Sequence, residues 1–379
     1  MEVPFLDLKV QYKTIKNEID TAIQNVLDNT AFILGPSVAE FEKEFAKIHN
    51  VKYCLGTSSG TDGNHLALWS LDIGPGDEVI IPANTFIATA WGATLCGATP
   101  VFVDCHPKSY NIDPGEVERV ITKKTKAIVA VHLYGQPADM DALKKITEEY
   151  NIHLVEDAAQ AHLAEYKGKK VGGHSEVTSF SFYPGKNLGA YGEAGAVVTN
   201  DESIAQKIKK LREHGQLKKY YHESFGHNYR MEGIQGAVLG VKLKYIDKWT
   251  NERRKVANRY RELLGTLEQI KLPVEMPDHK HVYHLYVIRV NLGRDQKNQE
   301  LRDKLQAYLQ EQNISTGLHY PVPLHLQDCF KHLSCEYGDF PETERLAEGG
   351  LSLPMYPELS EEQIEYVADT IKKFFKVLK

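Results

Sequence analysis

Apolar residues recur at helical spacing near the start of the chain. In 11–29, Ile15, Ile19, Ile23, Val26 and Leu27 fall on one face, which predicts an amphipathic helix. The stretch "FILGP" (32–36) interrupts the pattern, and a second helix is predicted from about Ser37 to His49. From residue 51 the pattern shortens. β-Branched runs, "EVIIP", "PVFVD", "AIVAVH", "HLVED" and "EVTSFSF", alternate with helix-like segments such as 137–150. That alternation predicts an α/β domain around a largely parallel sheet. Ligands of such sheets bind outside the carboxyl ends of the strands. His132, Asp157 and Lys186 all stand at predicted strand ends.

After about residue 245 the texture changes. Residues 245–270 read as one long charged amphipathic helix, 284–291 as a strand and 295–313 as a helix. "GLHYPVPLH" (317–325) reads as an extended segment stiffened by proline, and 360–379 as a terminal amphipathic helix. The expected division is a large α/β domain, 1–245, and a smaller α+β domain, 246–379.

Composition narrows the functional classes. A chain of 379 residues with a net charge of −6 lacks the basic footprint of a nucleic-acid binder. No apolar run is long enough to span a bilayer, and the N-terminus lacks the layout of a signal peptide, so a cytoplasmic protein is expected. Five scattered cysteines do not form a disulfide framework. Cys54, Cys96 and Cys105 lie in apolar stretches and read as buried thiols. His325, Cys329, His332 and Cys335 could be drawn as a metal site, but their spacing matches no usual zinc pattern, so no metal is expected.

Four clusters carry candidate chemistry, and each has a plainer reading. "GTSSGTDG" (56–63) is a small-residue turn opening a helix, where bare N–H groups and the helix dipole favour phosphate; Thr61 adds a hydroxyl. It would equally serve as an ordinary helix cap. Asp157 could hold a proton on the ring nitrogen of a pyridine, or could cap an Ala-rich helix after it. Lys186, between Gly185 and Gly189, could form a Schiff base if a dry site lowered its pKa, with Ser181 donating to a phosphate; a lone lysine otherwise points to solvent. "GHNYRMEGIQGAV" (226–238) could be a polar binding loop or an interface. Taken together, phosphate cradle, strand-end aspartate and lysine are the parts that a pyridoxal phosphate site requires.

The motifs "PFLDL", "GTSSGTDG", "GDEVIIPANTFIATA", "PVFVD", "VHLYGQPADMD", "EDAAQAH", "SFSFYPGKNLGAYGEAG", "NYRM" and "HYPVPLH", in that order along nearly the whole chain, resemble the DegT/StrS family of sugar aminotransferases. That resemblance implies the aspartate-aminotransferase-like fold, type I of the pyridoxal-phosphate-dependent transferases. It implies that Lys186 holds the cofactor and moves the proton, that Asp157 meets the pyridine nitrogen, and that Gln160 bonds the phenolic oxygen. Phe86 occupies the position stacked on the ring, and Gly60, Thr61 and Ser181 match the phosphate binders. Asn228 matches an asparagine that reaches the neighbouring subunit's phosphate, which implies a homodimer. Some members carry histidine in place of the lysine and dehydrate instead; Lys186 implies transamination. Two departures are visible. "PGK" replaces Pro-Thr-Lys, and Leu163 stands where glycine is common.

The implied reaction takes the amino group of L-glutamate, releases 2-oxoglutarate and aminates a nucleotide-linked ketosugar. "VHLYGQPADMD" with "GLHYPVPLH" is most similar to enzymes acting at C3 of dTDP-3-keto-6-deoxyhexoses. Amination at C4 of a dTDP- or UDP-linked 4-keto sugar, or at C3 of a UDP-sugar, are the alternatives. Tyr183, His319 and Tyr320 are candidates for lining the sugar pocket, although "HYPVP" could simply pack the two domains together. A desulfurase would need Cys329 or Cys335 on a mobile loop, and a non-catalytic regulator would have little use for both Lys186 and Asp157.

Overall fold

The computed structural model describes residues 1–290 and 298–377. Helices α1 (Leu8–Asp28) and α2 (Pro36–His49) precede the sheet. Asp7 caps α1 through bonds from the amides of Lys9 and Val10, and Ile15, Ile19 and Val26 are buried as their spacing predicts. Leu27 is turned to the surface instead, at the edge of that face.

Seven strands form the large sheet: β1 (Tyr53–Thr57), β2 (Glu78–Pro82), β3 (Thr99–Val103), β4 (Thr125–Val131), β5 (His153–Asp157), β6 (Val177–Ser181) and β7 (Gly195–Thr199). Their order is β1-β7-β6-β5-β4-β2-β3. All neighbours pair in parallel except β7, which is antiparallel to both β1 and β6. The strands are buried on both faces, which is why they read as near-continuous apolar runs. Helices α3 (Gly60–Ser70), α4 (Ile87–Leu95) and α5 (Met140–Tyr150) start at or beyond the carboxyl ends of β1, β2 and β4. A further pair follows β7, α6 (Glu202–Leu211) and α7 (Gly233–Leu243), and α7 packs against α1 and α2.

The segment expected as one helix over 245–270 stops early. Helix α8 spans Ile246–Leu264 and ends at Gly265, a weak helix former, after which Ile270–Lys271 pairs as a strand, β8. Antiparallel strands β9 (Tyr286–Val290) and β10 (Gly350–Leu353) complete a three-stranded sheet. Helices α9 (Asn298–Glu311) and α11 (Glu361–Val377), with α10 (Pro341–Gly349) between them in sequence, pack around it. The expected start of the helix at 295 and the final residues 378–379 lie outside the described residues. Val3, from the N-terminus, pairs with Ile314 and joins this second core. Among the described residues no helix is long and apolar enough to cross a membrane.

Cys54 and Cys105 are buried free thiols as expected, whereas Cys96, at the end of α4, is only half-buried. His325 is buried and meets the Glu344 carboxylate at 3.0 Å, while Cys329 is exposed.

Candidate active site

A cavity of about 880 Å³ lies over the carboxyl ends of the large sheet and is lined on one side by His284, Leu285, His319, Tyr320 and Met355 from the C-terminal third of the chain. Gly60, Thr61, Phe86, Asp157, Gln160, Ser181, Tyr183, Lys186, His319 and Tyr320 all line it. Segments separated by more than 250 residues therefore meet at one place.

The floor is built where β1 turns into α3. Ser59 caps the helix by accepting the Asp62 amide at 3.1 Å, which leaves the Gly60 and Thr61 amides of the first turn for a ligand. The capping reading of this motif holds, and the capped turn faces the cavity. Gly60 is required by close approach: a Cβ there would lie 2.5 Å from the Cβ of Ser181. Ser181, at the end of β6, is thereby pressed against the helix end, with its hydroxyl in the same wall.

Asp157 ends β5 and is 4% exposed. Its Oδ2 accepts from Asn64 Nδ2 at 2.9 Å and from the Thr89 hydroxyl at 2.7 Å, and its Oδ1 accepts from the Ala159 amide at 3.1 Å. No helix follows; residues 158–164 are turns, so the carboxylate does not serve as a helix cap. Asn64 is oriented by Ser179, whose hydroxyl donates to its Oδ1. Ser59, Asn64, Thr89 and His284 were not singled out from the sequence. Asn64 lies one helical turn past Gly60, and Thr89 three residues past Phe86, so helical periodicity was the available signal.

The chain leaves β6 and turns sharply, with the Lys186 amide donating to the Tyr183 carbonyl at 2.8 Å. A Cβ on Gly189 would meet the Pro184 carbonyl oxygen at 2.3 Å, so the turn demands glycine there. Burial pushes the Lys186 amine down to about 8, against the opposing pull of the Asp157 charge. Among the described residues the amine makes no hydrogen bond. About a tenth of the amine is therefore free and nucleophilic at pH 7, far more than for an ordinary lysine.

The far wall comes from His319 and Tyr320, more than 130 residues past Lys186. Burial lowers His319 to about 4, so its ring is neutral; it stacks on Phe5 and bonds Ser352 Oγ at 2.8 Å. Tyr320 receives a bond from Gln160 Nε2 at 3.0 Å, and its ring centre is 5.6 Å from that of Phe86. Phe86 and Tyr183 are 51% and 54% exposed, leaving broad faces open at the cavity. Asn228 is not in this wall: it is exposed, and its Oδ1 accepts from Arg230 Nε at 3.1 Å. His132 faces away, into the buried carboxylate of Glu156. Leu163, in place of the glycine common in the resembled family, is buried with φ +63°. The left-handed backbone, which costs a side-chain-bearing residue about 1–2 kcal/mol, explains the usual glycine.

These residues fit pyridoxal phosphate. The open helix end with Ser181 suits a phosphate, the fixed carboxylate of Asp157 suits a protonated ring nitrogen, and the unpartnered Lys186 suits an aldehyde.

The profile of the DegT/DnrJ/EryC1/StrS aminotransferase family matches residues 13–372. A pleiotropic regulatory protein of Geobacillus stearothermophilus is 45% identical over 99% of this chain and 99% of its own. A dTDP-3-amino-3,4,6-trideoxy-α-D-glucose transaminase of Streptomyces venezuelae is 44% identical over 98% of this chain and 96% of its own. The crystal structure of DesV from S. venezuelae in complex with a ketimine intermediate superimposes with a TM-score of 0.94 at 43% identity, covering 98% of each chain.

Proposed function

The chain belongs to the DegT/DnrJ/EryC1/StrS aminotransferase family, and on that premise we propose that it transfers the amino group of L-glutamate to C3 of a dTDP-linked 3-keto-6-deoxyhexose. The observation that carries this reading is the pairing of a low-pKa, unbonded Lys186 with a fixed Asp157 in one cavity. When bound, pyridoxal phosphate supplies an electron sink for the carbon that loses its proton.

The chain's own groups do the rest. The Gly60 and Thr61 amides and the hydroxyls of Thr61 and Ser181 would hold the phosphate. Asp157, held by Asn64 and Thr89, would keep a proton on the ring nitrogen, and Gln160 would bond the phenolic oxygen. Phe86 would lie against the ring. Lys186 accepts the α-proton of glutamate and later delivers a proton to the sugar carbon; because it approaches from one side, a single stereoisomer results. Tyr183, neutral His319 and Tyr320 offer flat apolar surface with polar tips to the sugar. We place Asn228, exposed on its own chain, against the phosphate of a second copy, so that the working unit is a homodimer. Five unpaired cysteines suit a reducing cytoplasm.

The regulatory name of one relative raises a second reading, binding without turnover. The retained lysine and aspartate speak against it. The deciding experiment supplies the protein with pyridoxal phosphate, L-glutamate and either a dTDP-3-keto- or a dTDP-4-keto-6-deoxyhexose and identifies the product by NMR. A 3-amino sugar is expected. A 4-amino product would move the assignment to C4, and no product from either acceptor would overturn it.

A further inference from the structure

Tyr134 lies outside the cavity wall, yet all three of its polar groups bond residues that form that wall. Its amide donates to Gln160 Oε1 at 2.6 Å, its carbonyl accepts from the Leu285 amide at 3.3 Å, and its hydroxyl donates to the His319 carbonyl. Gln160 in turn donates to the Tyr320 hydroxyl at 3.0 Å. The result is a closed ring, Tyr134 to Gln160 to Tyr320 to His319 and back to Tyr134. It joins the floor, after β5, to the wall at 319–320, across 185 positions of sequence.

The backbone is shaped for this. Tyr134 is 4% exposed and has φ +58°, a left-handed conformation that residues with side chains disfavour and that persists where surroundings enforce it. Gly135 follows with φ +105°, and a Cβ there would lie 2.9 Å from the His284 amide nitrogen. The turn is thus pressed directly against the strand entering β9, and only glycine fits beside Tyr134.

We propose that Tyr134 is a positioning residue for the sugar acceptor: its hydroxyl fixes the His319–Tyr320 segment, while its amide fixes the Gln160 side chain that bonds the same segment from the other side. This rests on the reading of His319 and Tyr320 as acceptor-binding residues. The Tyr134 phenol is buried, which raises its pKa well above the ordinary value and keeps the O–H a donor throughout the working pH range. The backbone bonds to Gln160 and Leu285 do not depend on the side chain, so removing the hydroxyl alone takes one of the holds from the 319–320 wall, leaving those from Gln160 and Ser352, and leaves the floor intact.

Tyr134→Phe separates these roles in the full-length protein. The glutamate half-reaction, followed as loss of visible absorbance in a single turnover, should match the parent. The KM for the dTDP-3-keto acceptor should rise about fivefold to tenfold, the size of one neutral hydrogen bond. Amide hydrogen exchange in 317–325, measured on both proteins without substrates, should quicken by a similar factor, with 153–160 unchanged. Unchanged exchange in 317–325, or equal losses in both half-reactions, would overturn the proposal. If the parent aminates neither keto-sugar, the functional reading fails while the exchange result still decides the role of Tyr134.

Discussion

Burial pushes the amines of Lys186 and Lys242 down to the same value, about 8, but the two nitrogens meet different surroundings. Lys242, on α7, donates to the Gly189 carbonyl at 2.6 Å and lies 5.1 Å from the Tyr191 ring and 5.9 Å from the Trp249 ring. Lys186 faces the cavity with no bond to its amine among the described residues. The same contrast recurs one layer down, between two adjacent acids of β5. Glu156 points away from the cavity and is fully saturated: it accepts from His132 Nε2, the amides of Gly172, His174 and Ser175, and the hydroxyls of Ser175 and Thr178. The Ala138 amide donates to His132 Nδ1, which places the ring proton on Nε2, toward Glu156. Asp157 points into the cavity and accepts three bonds, two on Oδ2 and one on Oδ1, half the number that Glu156 accepts. A perturbed pKa therefore does not by itself mark chemistry. What separates the reactive group from the structural one is whether the protein has already satisfied it.

Substitutions at the two pairs sharpen that contrast. Lys186→Ala should lower kcat by about ten-thousandfold or more and abolish visible absorbance with pyridoxal phosphate, with the fold retained by circular dichroism. Asp157→Asn should cost about a hundredfold to a thousandfold in kcat with little change in thermal midpoint, because Asn64 and Thr89 keep an acceptor. Glu156→Gln should behave in the opposite way. It should lose about 3 kcal/mol in denaturant titration, since buried donors lose a charged acceptor, while turnover per folded molecule stays near the parent.

The pH dependence of that loss follows from the chemistry. Burial alone would raise Glu156, but bonds from His132 and the 172–175 amides outweigh it and hold the carboxyl at about 2. Its folded value lies below the ordinary 4.5, so its stabilisation is complete above about pH 4.5 and disappears as the pH falls through about 2. Glu156→Gln should flatten the acid limb of the stability profile in that window; an unchanged limb would remove Glu156 from the account.

Lys242→Met should have the smallest effect, within about 1 kcal/mol, because an apolar side chain replaces a buried cation of similar volume. The Lys242 amine is depressed from the ordinary 10.5 to about 8. Between those values the unfolded chain binds more protons, so its contribution makes stability rise with pH. Thermal melts from pH 8 to 10.5 should show a shallower rise in the variant. Loss of cofactor loading in Lys242→Met would erase the distinction between the two lysines.

Much of this was legible in the sequence for identifiable reasons. The buried strands of the large sheet are runs rich in β-branched residues, and Gly60 and Gly189 stand at close approaches of the backbone. Gly265 was the visible stop signal inside the overlong helix expected over 245–270. Asn64, Thr89 and Tyr134 were not legible as site residues. Asn64 and Thr89 bond Asp157 across 93 and 68 positions, and Tyr134 bonds His319 across 185, so only the folded chain brings these ordinary polar residues to their partners. Tyr134 also sits in a left-handed turn that its own residue type disfavours.

The central claim is that Lys186, among the buried amines, is the one that binds the cofactor aldehyde. Incubating the protein with pyridoxal phosphate, reducing with borohydride and mapping the modified peptide by mass spectrometry tests this directly. One pyridoxyl group per chain is expected, on Lys186. Modification of Lys242 or another lysine instead, or of none, would contradict it.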